Sequence, residues 1–397
     1  MCKETYSNGY PALFSTPPYN FFYVEVMLWR SDYNFRKLNT PLLYCIVFVW
    51  SVLWILLVIE RFTYGRLVWN NMYLWLVAIP WIWMLLLAGM AIANLSNINT
   101  SLGRVFRMGA KESLIIFSDA IECALYIHSA STGTELIHGK GLNHYASGHI
   151  DPRLNSENVW QSGLMLVLTA LHVGGASFCA QSNGRNRSVY NMYESNLWIL
   201  PMYSKCTLVG NYSHLLSTLL FGGLMFSYMT VAFVLLKTAL HTIFEYRVKL
   251  VFVEQAVVGG LIVTCMALSL LFATSNGLAL LESVEAVMSG LATPYVCLLE
   301  LVALLYVYRG HDFISDMNVA TEENLCSTRI NTQWHIIPFI ALIVIILKMI
   351  VLNHNELPER YMYIALTPLA AIVLSVPLRA CHNAYVFLHS TMRRRNN

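Results

Sequence analysis

Stretches of about 20 mostly apolar residues, bounded by polar punctuation, recur nine times along this chain. A helix of that length crosses roughly 30 Å of hydrocarbon. Backbone in lipid must satisfy its own hydrogen bonds, so the repetition points to a bundle of membrane-spanning helices. The clear blocks are residues 42–59, 73–93, 214–240, 250–273, 291–308 and 335–352. Residues 159–180 also qualify, although Gly174 and Gly175 interrupt them, and so do residues 362–388, interrupted by Pro368 and Pro377. Residues 113–137 read as a span broken in the middle, because Ser129, Ala130, Ser131, Thr132 and Gly133 follow its charged first half. The expected fold is all-α, a polytopic membrane bundle of about nine helices. Residues 1–41 form an extracellular segment, 42–389 a single transmembrane domain and 390–397 a short basic tail.

Composition narrows the function. Of 397 residues, 12% are charged, about half the share in a soluble domain, which excludes a soluble enzyme and a disordered chain. The 25 basic and 22 acidic side chains are scattered between apolar blocks, with no stripe to track phosphates, so nucleic acid is not an expected partner. Cys45, Cys123, Cys179, Cys265, Cys297 and Cys381 fall inside apolar runs and are expected to pack as small hydrophobes. No Gly-x-Ser-x-Gly elbow, phosphate-cradling loop or His-Glu-x-x-His occurs, so no enzyme activity and no cofactor are expected. His138, His144 and His149 are spaced by six and five, which matches no compact zinc pattern.

An odd number of crossings puts the termini on opposite sides. Arg393, Arg394 and Arg395 argue for a cytoplasmic C-terminus, hence an N-terminus outside, in a plasma-membrane protein. The first 40 residues lack a basic start followed by an apolar core, so the first crossing is expected to serve as its own insertion signal. Glycosylation sequons at Asn94, Asn99, Asn186 and Asn211 all fall in the two loops that this topology makes extracellular. The lysines and arginines divide almost evenly between the two sides and decide nothing.

An ionisable group in hydrocarbon costs at least about 2.5 kcal/mol, so each one within a span faces protein, water or the interface. Lys348 lies four residues from the end of its span, close enough to snorkel to the headgroups. Lys237, His241 and Glu245 share a helical face near the inner end of theirs, the pattern of an interfacial ion pair. Glu282 and Glu285, three apart, mark either one face lining an aqueous vestibule or a water-exposed helix start ahead of the block at 291–308. Asp119 and Glu122 share a face just before the small residues Ser129 to Gly133. That is the pattern of an unwound stretch whose free backbone groups bind an ion or substrate, or of a weakly apolar helix tolerated by its neighbours.

Several strings resemble one family. Gly65-Arg66-Leu67-Val68-Trp69 resembles the Gly-Lys-Val-Val-Trp that opens the fifth helix of the neurotransmitter:sodium symporters. Glu300 to Phe313, with Tyr306, Tyr308 and His311 between, resembles the Glu-x-Val-x-x-x-Trp-Phe-Tyr-Gly-x-x-Arg-Phe at the end of that family's tenth helix. Asn20-Phe21-Phe22-Tyr23-Val24-Glu25-Val26-Met27 is similar to its Glu-Phe-Phe-x-x-x-Val-Leu before the fourth, and Leu142-Asn143-His144-Tyr145 to its Tyr-Asn-Lys-Phe after the sixth. The order of these motifs aligns the nine blocks with helices four to twelve. The resemblance thus implies an incomplete version of the five-plus-five inverted-repeat transporter fold, without the first three helices.

The function implied is a sodium-dependent symporter for amino acids or neurotransmitters, with sodium and chloride as coupling ions, a small amino-acid or amine substrate and membrane lipid as surroundings. The resemblance places the substrate and ion pathway at Asp119, Tyr126, Ser129, Ser131, Thr230 and Glu285. Asp119 and Ala120 keep the family's sixth-helix pair and Tyr126 its aromatic, while Cys123 and Ile127 replace the glutamine and serine that serve chloride or sodium. The eighth-helix sodium pair falls on Met229 and Thr230, and a thioether is a poor ligand for sodium. The seventh-helix asparagine has no counterpart near Leu166 or Val167. Glu285 matches the acid of the outer gate, whose arginine partner belongs to the first helix. A weak sodium site, or none, is therefore expected. The alternatives are a non-transporting pseudo-transporter that regulates a full-length transporter in a homo- or hetero-oligomer, and a chemoreceptor-like membrane protein.

Overall fold

A computed structural model of the chain describes residues 22, 26–27, 38–62, 110–127, 132–134, 213–275, 277–321, 328–354 and 359–395. These residues are nearly all helical, and among them the only β pairing is a single bridge between Leu38 and Thr274. The helices are α1 (Thr40–Phe62), α2 (Ala110–Ile127), α3 (Ser213–Tyr246), α4 (Val248–Ala273), α5 (Gly277–Val307), α6 (Gly310–Thr321), α7 (Thr328–His354) and α8 (Glu359–Arg395). Five stretches are long and apolar enough to cross a membrane: α1, Phe221–Tyr246 of α3, α4, α5, and Tyr361–Phe387 of α8. The apolar part of α7, Trp334–Ile350, is slightly shorter. The protein is accordingly a membrane-embedded helical one.

The helices account for most of the expected blocks and move some boundaries. Residues 42–59, 214–240, 250–273, 335–352 and 362–388 lie in α1, α3, α4, α7 and α8. The block expected at 291–308 instead begins at Gly277, so Glu282 and Glu285 belong to a 31-residue membrane-length helix. Residues 113–137 begin in α2, which ends at Ile127, and Gly133 has the left-handed φ of +66° that glycine adopts without strain. Carrying Lys111, Glu112, Asp119 and Glu122, α2 is too charged to count among the apolar spans. Blocks 73–93 and 159–180 lie outside the described residues, as do the four sequons and the motifs at Gly65 and Leu142.

The chain divides into two compact units. The first comprises Met1–Gly109 and Thr132–Leu278. Its described core is a seam of Leu53 and Leu57 from α1, Phe233, Leu236 and Leu240 from α3, and Val258 and Ile262 from α4, at the three- and four-residue spacing of one helix face. Lipid tails are as apolar as leucine, so this seam holds by close packing, and polar contacts fix its ends. At one end Asn39 caps α1: its Oδ1 accepts from Leu42 N at 3.3 Å, its Nδ2 donates to Val26 O, and its own N–H donates to Ala273 O at 2.7 Å. Trp50 Nε1 donates to Ser269 Oγ at 3.1 Å nearby. At the other end Glu60 of α1 meets Lys237 of α3, and Arg61 meets Glu254 of α4. The contacts at both ends make α1 and α4 run in opposite directions.

Gly277 starts α5 directly after the turn closed by Gly277 N and Thr274 O at 2.9 Å. A Cβ there would overlap the backbone carbonyl of Phe272, which no side-chain adjustment can relieve. Gly277→Ala is therefore expected to lower the thermal unfolding midpoint of the purified chain by several degrees. An unchanged midpoint would contradict this turn.

The second unit comprises Ala110–Ser131 and Ala279–Asn397. Its axis is α5, an α-helix interrupted by two π turns, Met288–Ala292 and Ala303–Val307. The first π turn is buried at Gly290, Leu291 and Ala292, and α2, α7 and α8 all pack on it. The rest of α5 runs antiparallel to α7, with Tyr306 edge-on to His335, 5.7 Å between ring centroids. Past the membrane-length part, Arg309 takes the helix-ending left-handed position with φ +71°. Tyr308 donates to Asp316 Oδ2 at 2.5 Å, and that carboxylate raises the phenol above its ordinary value. Of α8, Tyr361 and Ala365 are buried, and residues 373–387 are exposed.

Candidate functional site

The second unit gathers an ion cluster around its first π turn. Asp119 and Glu122, one turn apart on α2, reach the same side chain of α7: Lys348 Nζ donates to Asp119 Oδ1 at 2.5 Å and bonds Glu122 Oε2. Opposite them α5 presents Gly290. A Cβ at this glycine would lie 3.7 Å from Lys348 Cδ and 3.9 Å from Glu122 Oε2, so the lysine stem and the carboxylate pass where a larger side chain would stand. Lys348 is only 13% exposed and Asp119 55%, which puts the ammonium inside the unit and one carboxylate at its edge.

The expectation that Lys348 snorkels to the headgroups gives way to a different arrangement: its charge is turned inward. The physical reason is the pair of carboxylates, which repays more desolvation than the interface alone. Two carboxylates and one ammonium leave the cluster formally negative by one charge.

Glu282 and Glu285 separate. Glu282 is 8% exposed, and its Oε1 has no hydrogen-bond partner among the described residues. Glu285 is exposed, one turn nearer the π turn. The shared vestibule face expected of them is not what α5 presents, because three residues turn a helix by about 300°. The remaining 60° is enough to carry one carboxylate across the edge of the packed face. Val287 is fully buried, so Glu285 does not stand in a solvated loop.

The other pathway residues are not brought to this cluster by any described contact. Thr230, in the first unit, donates its hydroxyl proton to Phe226 O of its own helix at 2.8 Å. Tyr126 lies in the last turn of α2, but its side chain falls outside the described residues, as do Ser129 and Ser131 entirely. His138, His144 and His149 also fall outside them, and among the described residues no group of three or more His, Cys, Asp and Glu is placed to hold a metal ion.

Inspection of the sequence missed a second pair, in the first unit. Glu60, 6% exposed, accepts from Lys237 Nζ at 2.5 Å, where an ion pair within the Lys237, His241 and Glu245 face was expected. Glu60 stands one residue past the apolar block that ends at 59. The available signal was a glutamate closing one span and a lysine inside another.

Chemically, the second unit offers carboxylate oxygens and one ammonium in a water-poor setting. Both carboxylates are engaged with the Lys348 ammonium. Compared with protein-family models the chain matches none, and no curated protein matches it in sequence.

Proposed function

We propose that this chain is a membrane transporter of the neurotransmitter:sodium symporter type, moving a small amino acid or amine. The observation that carries this reading is the bonded cluster of Asp119, Glu122 and Lys348 on two helices that pack against the membrane-length α5. Ionisable groups in such positions are costly and mark substrate and ion pathways. Two further features support it. The π turn at Gly290 is of the kind found at functional sites, and Gly133, beyond α2, takes a left-handed φ of +66°, which a continuous α-helix does not contain. Sodium coupling is weak in this reading. Met229 offers a thioether where a hard oxygen is wanted, and Thr230 turns its hydroxyl to its own helix.

Purified protein reconstituted into liposomes should accumulate one or more members of a panel of radiolabelled amino acids and monoamines above protein-free liposomes. Replacing sodium with N-methylglucamine should change that uptake little. The double variant Asp119→Asn, Glu122→Gln should lose most of it. Folded protein that accumulates nothing from the panel would overturn the transport reading in favour of the non-transporting one.

A further inference from the structure

We infer that α8 leaves the hydrocarbon near Arg379 and that its remainder, Arg379–Arg395, is an amphipathic helix docked on anionic phospholipid headgroups of the same membrane. The inference goes beyond the transport reading and does not depend on it.

Length is the first observation. The helix α8 has 37 residues, about 55 Å at 1.5 Å per residue, whereas the hydrocarbon core is about 30 Å thick. Glu359 and Arg360 are charged, so the crossing begins no earlier than Tyr361. Arg379 stands 18 residues further on, about 27 Å along the axis, which is the far boundary. There a guanidinium reaches the headgroups on its own stem. Burial agrees with this division: Tyr361 and Ala365 are buried, whereas every residue from 373 to 387 is exposed.

The sorting of side chains is the second observation. At about 100° per residue, Leu378, Cys381, Tyr385 and Phe387 fall in one half of the helix. Arg379, His382 and Asn383 fall in an arc of about 100° on the other, and Val386 is the only apolar residue between them. Continued at the same period, the sequence puts Leu388 and Met392 on the apolar half and His389, Arg393 and Arg394 on the polar side. Arg395, the last residue of the helix, is the one charged residue on the apolar half. No aspartate or glutamate follows Glu359, so the polar side carries positive charge alone.

A basic amphipathic helix suits a lipid surface or a partner protein's groove. Continuity with the crossing favours the lipid. The chain holds this helix at the bilayer surface, so the membrane is present at high effective concentration before any partner arrives. Pro377 removes one helix hydrogen bond two residues before Arg379, which gives the axis a place to turn from crossing to lying flat. The cytoplasmic leaflet, where the arginine triplet is expected, carries the anionic lipid that complements it.

The test is made on the full-length chain in vesicles of phosphatidylcholine, with and without phosphatidylserine. A nitroxide is attached at Cys381, on the apolar half, or at Asn383→Cys, about 200° further round the helix, with the other cysteines replaced by serine. Collision with oxygen, which concentrates in lipid, is compared with collision with a neutral nickel chelate, which stays in water. With phosphatidylserine present, oxygen should dominate at 381 and nickel at 383. In phosphatidylcholine alone, or after the combined substitutions Arg379→Gln, Arg393→Gln, Arg394→Gln and Arg395→Gln, the oxygen excess at 381 should fall several-fold.

Nickel dominating at both positions would show the helix standing in water, open to a protein partner. Oxygen dominating at both would show the crossing running on past Arg379, and shielding of 381 from both reagents would show a protein surface covering it. Each of these results overturns the inference, as does an oxygen excess indifferent to phosphatidylserine and to the four arginines. If the serine-substituted background does not fold, the native chain decides. Carried through detergent chromatography with equal amounts of the two lipids, it should retain several-fold more phosphatidylserine than the four-arginine variant, and equal retention would overturn the inference.

Discussion

Lys237→Ala is expected to destabilise the first unit by about 3–5 kcal/mol, read as a large fall in thermal unfolding midpoint. Glu60 is 6% exposed and accepts from Lys237 Nζ at 2.5 Å, so truncation strips a buried carboxylate of its ammonium while leaving it desolvated. The loss comes from taking the ammonium from a carboxylate that stays desolvated rather than from the pair as such. Replacing both members with apolar residues, Glu60→Leu with Lys237→Met, should therefore recover most of it, because buried ion pairs roughly break even against well-packed apolar substitutes. A double variant as unstable as Lys237→Ala would assign the effect to packing of the lysine stem. The neighbouring pair supplies the contrast. Arg61 and Glu254, 3.3 Å apart and both accessible, are worth less than about 1 kcal/mol, and Arg61→Ala should change the midpoint little.

Lys348→Glu should be more damaging still. It removes the ammonium from Asp119 and Glu122 and puts a third carboxylate in its place, beside a glycine that leaves no side chain to shield it. Losing the partner alone is worth about 3–5 kcal/mol, and the added like charge raises that. The sum is a large part of the roughly 5–15 kcal/mol by which a typical native protein is stable. Monodisperse protein recovered by size-exclusion chromatography should fall to a small fraction of the native yield. A native yield and midpoint would mean that the cluster contributes nothing.

The helices were largely legible because apolar length is written locally: about 20 adjacent residues decide each one. The start of α5 was not. Asn276 to Gly290 mixes two glutamates with small residues, and these lower the apparent hydropathy of a segment that the neighbouring helices in fact bury, as at Glu282 and Ser283. The π turns left no trace in the pattern, since they shift register without changing composition. Ion pairing was the least legible feature. Lys348 and Asp119 are 229 residues apart and Lys237 and Glu60 are 177 apart, so each charge could be marked as costly while its partner depended on which helices pack together. Asp119 and Glu122 were found as a pair because their spacing of three is a local fact. That Lys348 joins them is a tertiary one.

The charge-swapped double variant Glu122→Lys, Lys348→Glu tests most directly that the second unit is organised around a bonded cluster of opposite charges. Its thermal unfolding midpoint, measured beside those of the two single variants, is the decisive reading. The swap keeps two carboxylates and one ammonium at the same three positions, so its midpoint should return most of the way to the native value while both single variants fall well below it. A double variant no more stable than the worse of its two parents would contradict the cluster, and with it the site on which the transport reading depends.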